Sequence, residues 1–233
     1  MNIDEVRDLE RRVAVHAALA DRARLRIVDV LRWGDASPSE LAELLAIPSN
    51  LLAHHLNVLE GAAIVARVRS EGDGRRAYVQ LTAAALDESV TVPLRAVPRL
   101  LFLCTANSAR SHLATALWRR SSEVPAVSAG THPADRIHPG AIAAAQRHGL
   151  DLPAIRPQNV DTVRAPDDLV VTVCDRAHEE LDFPVDVHWS IPDPVRSATP
   201  EAFDDALDAL SRRVSALSTR LTLAGARRAG AHP

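Results

Sequence analysis

Cys104 and Arg110 are separated by five residues in the segment Cys104-Thr105-Ala106-Asn107-Ser108-Ala109-Arg110, which lies between an apolar run at 99–103 and a helical pattern at 111–120. A loop that leaves a buried strand and enters a helix points successive backbone N–H groups at one spot, and the helix N-terminus adds positive potential. Thr105, Ala106, Asn107, Ser108, Ala109, Arg110 and Ser111 are therefore candidates to hold a tetrahedral oxyanion. The same field favours a thiolate, so Cys104 is the candidate nucleophile, and the planar guanidinium of Arg110 is suited to gripping two oxyanion oxygens. Asn107 tolerates a left-handed backbone, and Ser108 or Ser111 has a hydroxyl to offer the sulfur. Five arbitrary residues between a cysteine and an arginine occur often by chance; the strand before and the helix after give the spacing its meaning.

A second chemical segment is His188-Trp189-Ser190-Ile191-Pro192-Asp193-Pro194, where one carboxylate stands between two prolines. Such a rigid loop can present Asp193 as general acid to a leaving oxygen, although Asp-Pro is also an ordinary turn former. The chain has only two cysteines, too few for a disulfide scaffold, so Cys104 and Cys174 are each buried filler or a reactive thiol. For Cys174, beside the apolar Val170-Val171-Thr172-Val173, both readings stand.

The elements that must position these groups alternate. After residues 99–103 come a helix at 111–120, strands at 126–128 and 169–173, a helix at 139–148 between those strands, an extended 185–189, and a closing helical stripe of Phe203, Leu207, Leu210, Val214, Leu217 and Leu221. That order predicts an α/β domain over 99–223 with a parallel four-stranded sheet covered on both faces. Before it, Pro93 and Pro98 bracket a patternless stretch read as a linker at 91–98, and residues 224–233 read as a disordered tail.

Residues 1–90 are different: helices at 4–33, a capping-box helix at Ser37-Pro38-Ser39-Glu40, a further helix capped by Ser49 and running to about Glu60, and two strand-like runs joined by Glu71-Gly72-Asp73-Gly74. The 49–60 helix buries Leu52, Leu56 and Leu59 and presents Ser49, Asn50, Ala53, His54 and Asn57, small or polar groups able to approach base edges in a major groove. The hairpin adds Arg67, Arg69, Arg75 and Arg76, placed to meet phosphates. A net charge of -3 excludes a strongly basic DNA-coating protein, so DNA binding must come from this local patch. With no apolar run of about 20 residues and an acidic start, the expectation is a cytoplasmic protein with no membrane partner.

Two resemblances follow from these residues. "DRARLRIVDVLRWGDASPSELAELLAIPSNLLAHHLNVLEGAAIVARVRSEGDGRRAYVQLT" resembles the mostly α winged helix-turn-helix of the ArsR-type repressor family. That implies a homodimer formed through the N-terminal domain, with two recognition helices reading near-palindromic operator DNA. "LLFLCTANSARSHLATAL", "SAGTHPADRIHPGAIAAAQRHGLDL", "LVVTVCDRAHEEL" and "HWSIPDPV" look like the low-molecular-weight phosphatase fold, more closely its arsenate reductase branch. Family roles then fall on nucleophile Cys104, oxyanion loop Thr105 to Arg110, acid Asp193 and second redox cysteine Cys174.

Departures shape the expectation. Val195 and Arg196 follow the Asp-Pro where phosphotyrosine enzymes of this fold place aromatic residues, which favours a small inorganic anion such as arsenate or a phosphate-like oxyanion. The thioredoxin-coupled branch has a third cysteine where this chain has Leu181, and Ala106 and Ala109 replace the usual glycine and cysteine of the loop. Either Cys104 and Cys174 pair directly, or a thiol such as mycothiol or glutathione acts as co-substrate; no tightly bound cofactor and no metal is expected. The N-terminal domain lacks cysteine altogether, and adjacent His54 and His55 point about 100° apart on a helix, so no metalloid site is expected there. Three functions compete: an arsenate reductase fused to its regulator, a phosphatase fused to one, or a regulator whose second domain only senses an oxyanion.

Overall fold

The computed structural model describes residues 3–82, 95–152 and 155–224, which divide into two compact units. The first holds helices α1 (Ile3–Leu19), α2 (Arg22–Leu31), α3 (Pro38–Leu45) and α4 (Ser49–Gly61) and the antiparallel hairpin β1 (Val65–Arg69) with β2 (Ala77–Leu81). Asp21 caps α2 by accepting from Ala23 and Arg24 N–H groups at 2.9 and 3.0 Å. The expected capping box closes α3: Ser37 N–H donates to Glu40 at 2.7 Å and Glu40 N–H to the Ser37 hydroxyl at 3.3 Å. Ala46 reverses the chain in the left-handed region at φ 53°, which sets α4 at a tight turn from α3. Ser49 does not cap α4; it is the first helical residue behind Pro48, and no side chain caps this end. Ile27, Leu31, Leu41, Leu52, Leu56, Leu59, Ile64 and Val79 make the core.

The second unit begins earlier than its apolar pattern. Within the stretch read as linker, Arg95–Val97 is strand β3, parallel to β8 (Leu221–Leu223). Leu221 accordingly leaves the closing helix, which runs only over Pro200–Ser218 and turns at Thr219 and Arg220, where pairing with β3 replaces helical bonds. Residues 83–94 and 225–233, the rest of the expected linker and most of the expected tail, lie outside the described residues.

The four-stranded sheet is parallel, as its alternating pattern requires. Its strands β4 (Leu100–Cys104), β5 (Ala126–Gly130), β6 (Leu169–Thr172) and β7 (Val187–His188) stand in the order β5-β4-β6-β7. β7 is shorter than the 185–189 expected, because Ile191 N–H turns back to the Trp189 carbonyl at 3.0 Å. Helices α5 (Arg110–Ser121), α6 (Pro139–Arg147), α7 (Val160–Val163), α8 (Asp175–Glu180), α9 (Pro194–Ser197) and α10 (Pro200–Ser218) complete the unit. Central β4 is wholly buried, and Phe102 lies 6.1 Å from Trp118 and 5.9 Å from Trp189 between ring centroids. The chain runs from β4 to β5 on one side and then crosses to β6 on the other, so the topological switch point falls between β4 and β6. Ligand crevices open there at the carboxyl ends of the strands. Those ends carry Cys104 and Cys174.

Candidate functional site

The loop from Cys104 to Arg110 turns its carbonyls outward. Cys104, Thr105, Ala106 and Ser108 carbonyls accept from the N–H groups of Thr131, His132, Ala134 and His138 at 3.3, 2.8, 2.9 and 2.8 Å. With the oxygens committed to residues 131–138, the intervening amides face the other way, and among the described residues those of Ala106, Asn107, Ser108 and Ala109 donate to no protein acceptor. Ala109, at the N-cap of α5, supplies no side-chain cap, which leaves the first amides of α5 open as well. A ring of donors without acceptors is what a tetrahedral anion satisfies. Asn107 makes the turn possible: it is fully buried at φ 45°, its side-chain oxygen accepts from Gln158 N–H at 2.8 Å, and its amide donates to the Ser111 hydroxyl at 2.9 Å. That hydroxyl lies 3.1 Å from Cys104 Sγ.

Arg110, the first residue of α5 and buried, donates through Nη1 to the Ile191 carbonyl at 2.8 Å, while its Nη2 lies 3.3 Å from Asp193 Oδ1. Burial opposes its charge, but the thiols of Cys174 and Cys104 and the Asp193 carboxylate outweigh that and raise its pKa. Asp193 itself caps α9 through Val195 N–H at 3.3 Å. The structure thus brings Cys104, Arg110 and Asp193, the expected nucleophile, oxyanion clamp and acid, into one cavity, which Cys174 also lines.

Cys174 is the N-cap of α8. Its sulfur accepts from Ala177 N–H at 3.5 Å and from Thr105 N–H at 3.3 Å, with the Thr105 hydroxyl 3.4 Å away. Burial pushes this thiol up, against the pull of Arg110, and the neighbouring Cys104 adds to the rise. Thr105 therefore ties the second cysteine directly to the oxyanion loop.

On the first unit, Ser49, Asn50, Ala53, His54 and Asn57 are all exposed on α4, and Arg67, Arg69, Arg75 and Arg76 are exposed on the hairpin. They do not form one uniform surface. Arg67 is held back against α4, 2.6 Å from Glu60 and 3.0 Å from Asn57. His55 points inward, 3.7 Å from Asp21. Among the described residues no group of three or more histidine, cysteine or acidic side chains is arranged to hold a metal, and no helix is long and apolar enough to cross a membrane.

Residues 99–226, more than half of the chain, match the family described as low molecular weight phosphotyrosine protein phosphatase. The chain belongs to that family. Residues 19–68 match a helix-turn-helix domain family. The transcriptional repressor SdpR of Bacillus subtilis (strain 168) is 32% identical over 76 residues, 33% of this chain and 81% of the repressor. An arsenate reductase of Halalkalibacterium halodurans is 31% identical over 122 residues, 49% of this chain and 85% of that enzyme. The crystal structure of an arsenate reductase from Archaeoglobus fulgidus, 31% identical, aligns with 52% of this chain and 98% of its own at a TM-score of 0.46. The chain is a helix-turn-helix domain fused to a low molecular weight phosphatase domain.

Sequence reasoning missed the polar supports of this phosphatase-family site. Asp175, directly after Cys174, lies 3.2 Å from His188 Nε2, both side chains being 2% exposed; Thr172 Oγ1 is 2.9 Å from His188 Nδ1, and His178 stacks on that ring at 4.0 Å. The Asp175 carboxyl is held below its usual range because hydrogen bonds from His188 and Ser190 overcome burial. His112, buried on α5, has Nδ1 3.5 Å from the Ser128 hydroxyl and is pushed down to about 4, chiefly by burial. The only sequence signal was adjacency: Asp175 follows a flagged cysteine, and His188 opens the acid segment.

Two outcomes follow. A Cβ on Gly130 would meet the Thr105 carbonyl oxygen at 2.6 Å and the Asn107 nitrogen at 2.9 Å, both backbone. Gly130→Ala must therefore displace the loop and should weaken oxyanion binding by about 100-fold, read by phosphate or arsenate titration, with the fold retained by circular dichroism. The second concerns pH. The unfolded chain takes a proton on His112 near 6.5 that the folded chain refuses until about 4. Stability is full above 6.5 and falls as pH drops toward 4, by up to about 3 kcal/mol. Urea unfolding at pH 7 and pH 5 should register the loss, and His112→Gln should flatten it over that interval.

Proposed function

We propose that this protein is a thiol-dependent arsenate reductase, over residues 99–223, carried on the same chain as an ArsR-type DNA-binding regulator over residues 1–90. The observation that carries the reductase reading is the pair of thiols on one oxyanion loop, Cys104 within it and Cys174 bonded to Thr105. Hydrolysis needs only one thiol; reduction needs more. Arsenate seats on the loop amides and Arg110, the Cys104 thiolate bonds to arsenic, and Asp193 donates a proton so that one oxygen departs as water. A second thiolate then attacks the Cys104 sulfur. An S–S bond forms, the S–As bond breaks with its electron pair passing to arsenic, and arsenic leaves reduced, as arsenite. Cys174 or an external thiol such as mycothiol or glutathione supplies that attack. The relationship to an arsenate reductase of H. halodurans supports this reading.

A phosphatase is the second reading, favoured by one specific fact: Cys104, Arg110 and Asp193, which suffice for phosphoester hydrolysis, line a single cavity. Sensing of an oxyanion without turnover is the third. Two arms separate them. Cys104→Ser should abolish both arsenate reduction and phosphoester hydrolysis in a folded protein. Cys174→Ser should lower arsenate turnover while sparing hydrolysis. With Leu181 in place of a third cysteine, glutathione or mycothiol should sustain multiple turnovers and thioredoxin alone should not; efficient turnover on thioredoxin would sink the redox assignment.

The DNA-binding reading rests on the α4 face, on the hairpin arginines and on the relationship to the SdpR repressor. It carries with it a homodimer joined through the N-terminal domain, working in the cytoplasm. Arg75→Ala with Arg76→Ala should weaken binding to every sequence and reduce its salt slope, because phosphate contacts release counterions and read no bases. Asn50→Ala should instead relax specificity by about 1–3 kcal/mol at one base pair. Fluorescence titration of the full chain against its own upstream DNA at several salt concentrations measures both.

A further inference from the structure

The Cys104 cavity has a charged mouth that the chemistry above leaves unused. Besides the loop, the two cysteines and Asp193, the cavity is lined by Glu71, Asp175, Val195, Arg196 and Arg176; Glu71 accepts from Asp193 N–H at 2.8 Å and lies 3.6 Å from Arg110. Each of the inner charges has a counterpart: Arg110 stands beside Asp193 and Asp175 beside His188. Arg176, exposed on α8, is steered by Glu180, 2.7 Å from its Nε, and Glu180 is shared with Thr131 and His132 at 3.1 Å each. Arg196, exposed on α9, differs: its backbone N–H reaches the Asp193 carbonyl at 3.3 Å, but among the described residues no carboxylate is paired with its guanidinium. The position is also where Val195-Arg196 replaces a ring-binding wall.

A cation at the rim has a use if an anionic reactant must enter after the oxyanion has been bound. Cys104 is 3% exposed and Cys174 2%, so neither sulfur meets a bulky reductant directly. The chain also has no third cysteine to carry the oxidising equivalents outward. Whether Cys174 attacks first or not, catalysis returns to its start only when an outside thiol reaches a sulfur through this mouth.

We propose that Arg196, assisted by Arg176, docks the carboxylate of a carboxylate-bearing low-molecular-weight thiol and so selects the reductant that regenerates Cys104; this deepens, and rests on, the reductase reading. The sequence balances with two equivalents of that thiol. Cys174 attacks the Cys104 sulfur of the arsenic adduct, forming the Cys104–Cys174 disulfide and leaving the electron pair on arsenic; the first external thiol then attacks Cys104 of that disulfide, freeing the Cys174 thiolate and forming a mixed disulfide. The second attacks the small-molecule sulfur of that disulfide, releasing the symmetrical disulfide and the Cys104 thiolate. Overall, arsenate and two thiols give arsenite, one disulfide and water, the two thiol protons ending on the departing oxygen.

The test uses the full chain with Arg196→Glu and Arg196→Gln. With arsenate as acceptor, Arg196→Glu should raise the KM for glutathione about tenfold and Arg196→Gln by less, while the KM for arsenate stays put and turnover with cationic cysteamine is kept or improved. The glutathione effect should shrink as ionic strength rises. A second arm needs no arsenate chemistry: the rate of thiol modification by the anionic 5,5′-dithiobis(2-nitrobenzoate), divided by the rate with uncharged dipyridyl disulfide, should fall about tenfold in Arg196→Glu. Lost arsenate turnover in the unsubstituted protein together with a charge-dependent modification ratio would overturn the reductase reading and keep the anion-docking role. An unchanged ratio and an unchanged glutathione KM would overturn the docking role, as would efficient turnover on a protein dithiol that is indifferent to Arg196→Glu.

Discussion

The catalytic half of this protein depends on where four carbonyl oxygens point. Because Cys104, Thr105, Ala106 and Ser108 give their oxygens to residues 131–138, the alternate groups of the loop, its N–H donors, are forced to share one small volume. No side chain could create that field as economically, since backbone amides are fixed in place and lose no rotamer entropy when an anion arrives. The arrangement needs a residue without a Cβ where β5 ends, and Gly130 is there. It also needs a left-handed residue inside the loop, and Asn107 fills that place with its side chain bonded at both ends.

Everything else in the site hangs from that loop. Thr105, next to the open amides, gives its own N–H to Cys174, so a group on β4's loop and one after β6 share a hydrogen bond across the switch point of the sheet. Asp175 and His188 connect the same helix start to the segment that carries Asp193, in surroundings so buried that each polar group needs the other. The site is therefore held by short polar links between strand ends, with the apolar core of Phe102, Trp118 and Trp189 beneath it.

The helix-turn-helix unit follows a different logic. Its leucine core fixes the angle of α4 and leaves Ser49, Asn50, Ala53, His54 and Asn57 exposed on the opposite face. Arg67 is the exception among the hairpin arginines: closed onto Asn57 and Glu60, it links α4 to β1. Having no cysteine of its own, this unit offers no thiol to a metalloid, and all of the chain's sulfur chemistry sits in its partner unit.

The sequence by itself determined the two fold classes, the strand-loop-helix junction from Cys104 to Arg110 and the polar face of α4. Those features are local: a capping box, a heptad-like leucine spacing, and a strand-loop-helix junction are each decided by residues a few positions apart. It also marked Asp193 and Cys174 as chemical groups without settling what they touch. Only the tertiary structure decided that Cys174 meets Thr105, that Asp175 pairs with His188, that Gly130 admits the loop, and that Arg95–Val97 is a strand because Leu221–Leu223 lies beside it. Each of these joins residues that are far apart along the chain and that carry no local pattern, and their partners are chosen by the order of strands in a sheet and by the cost of leaving a buried polar group alone.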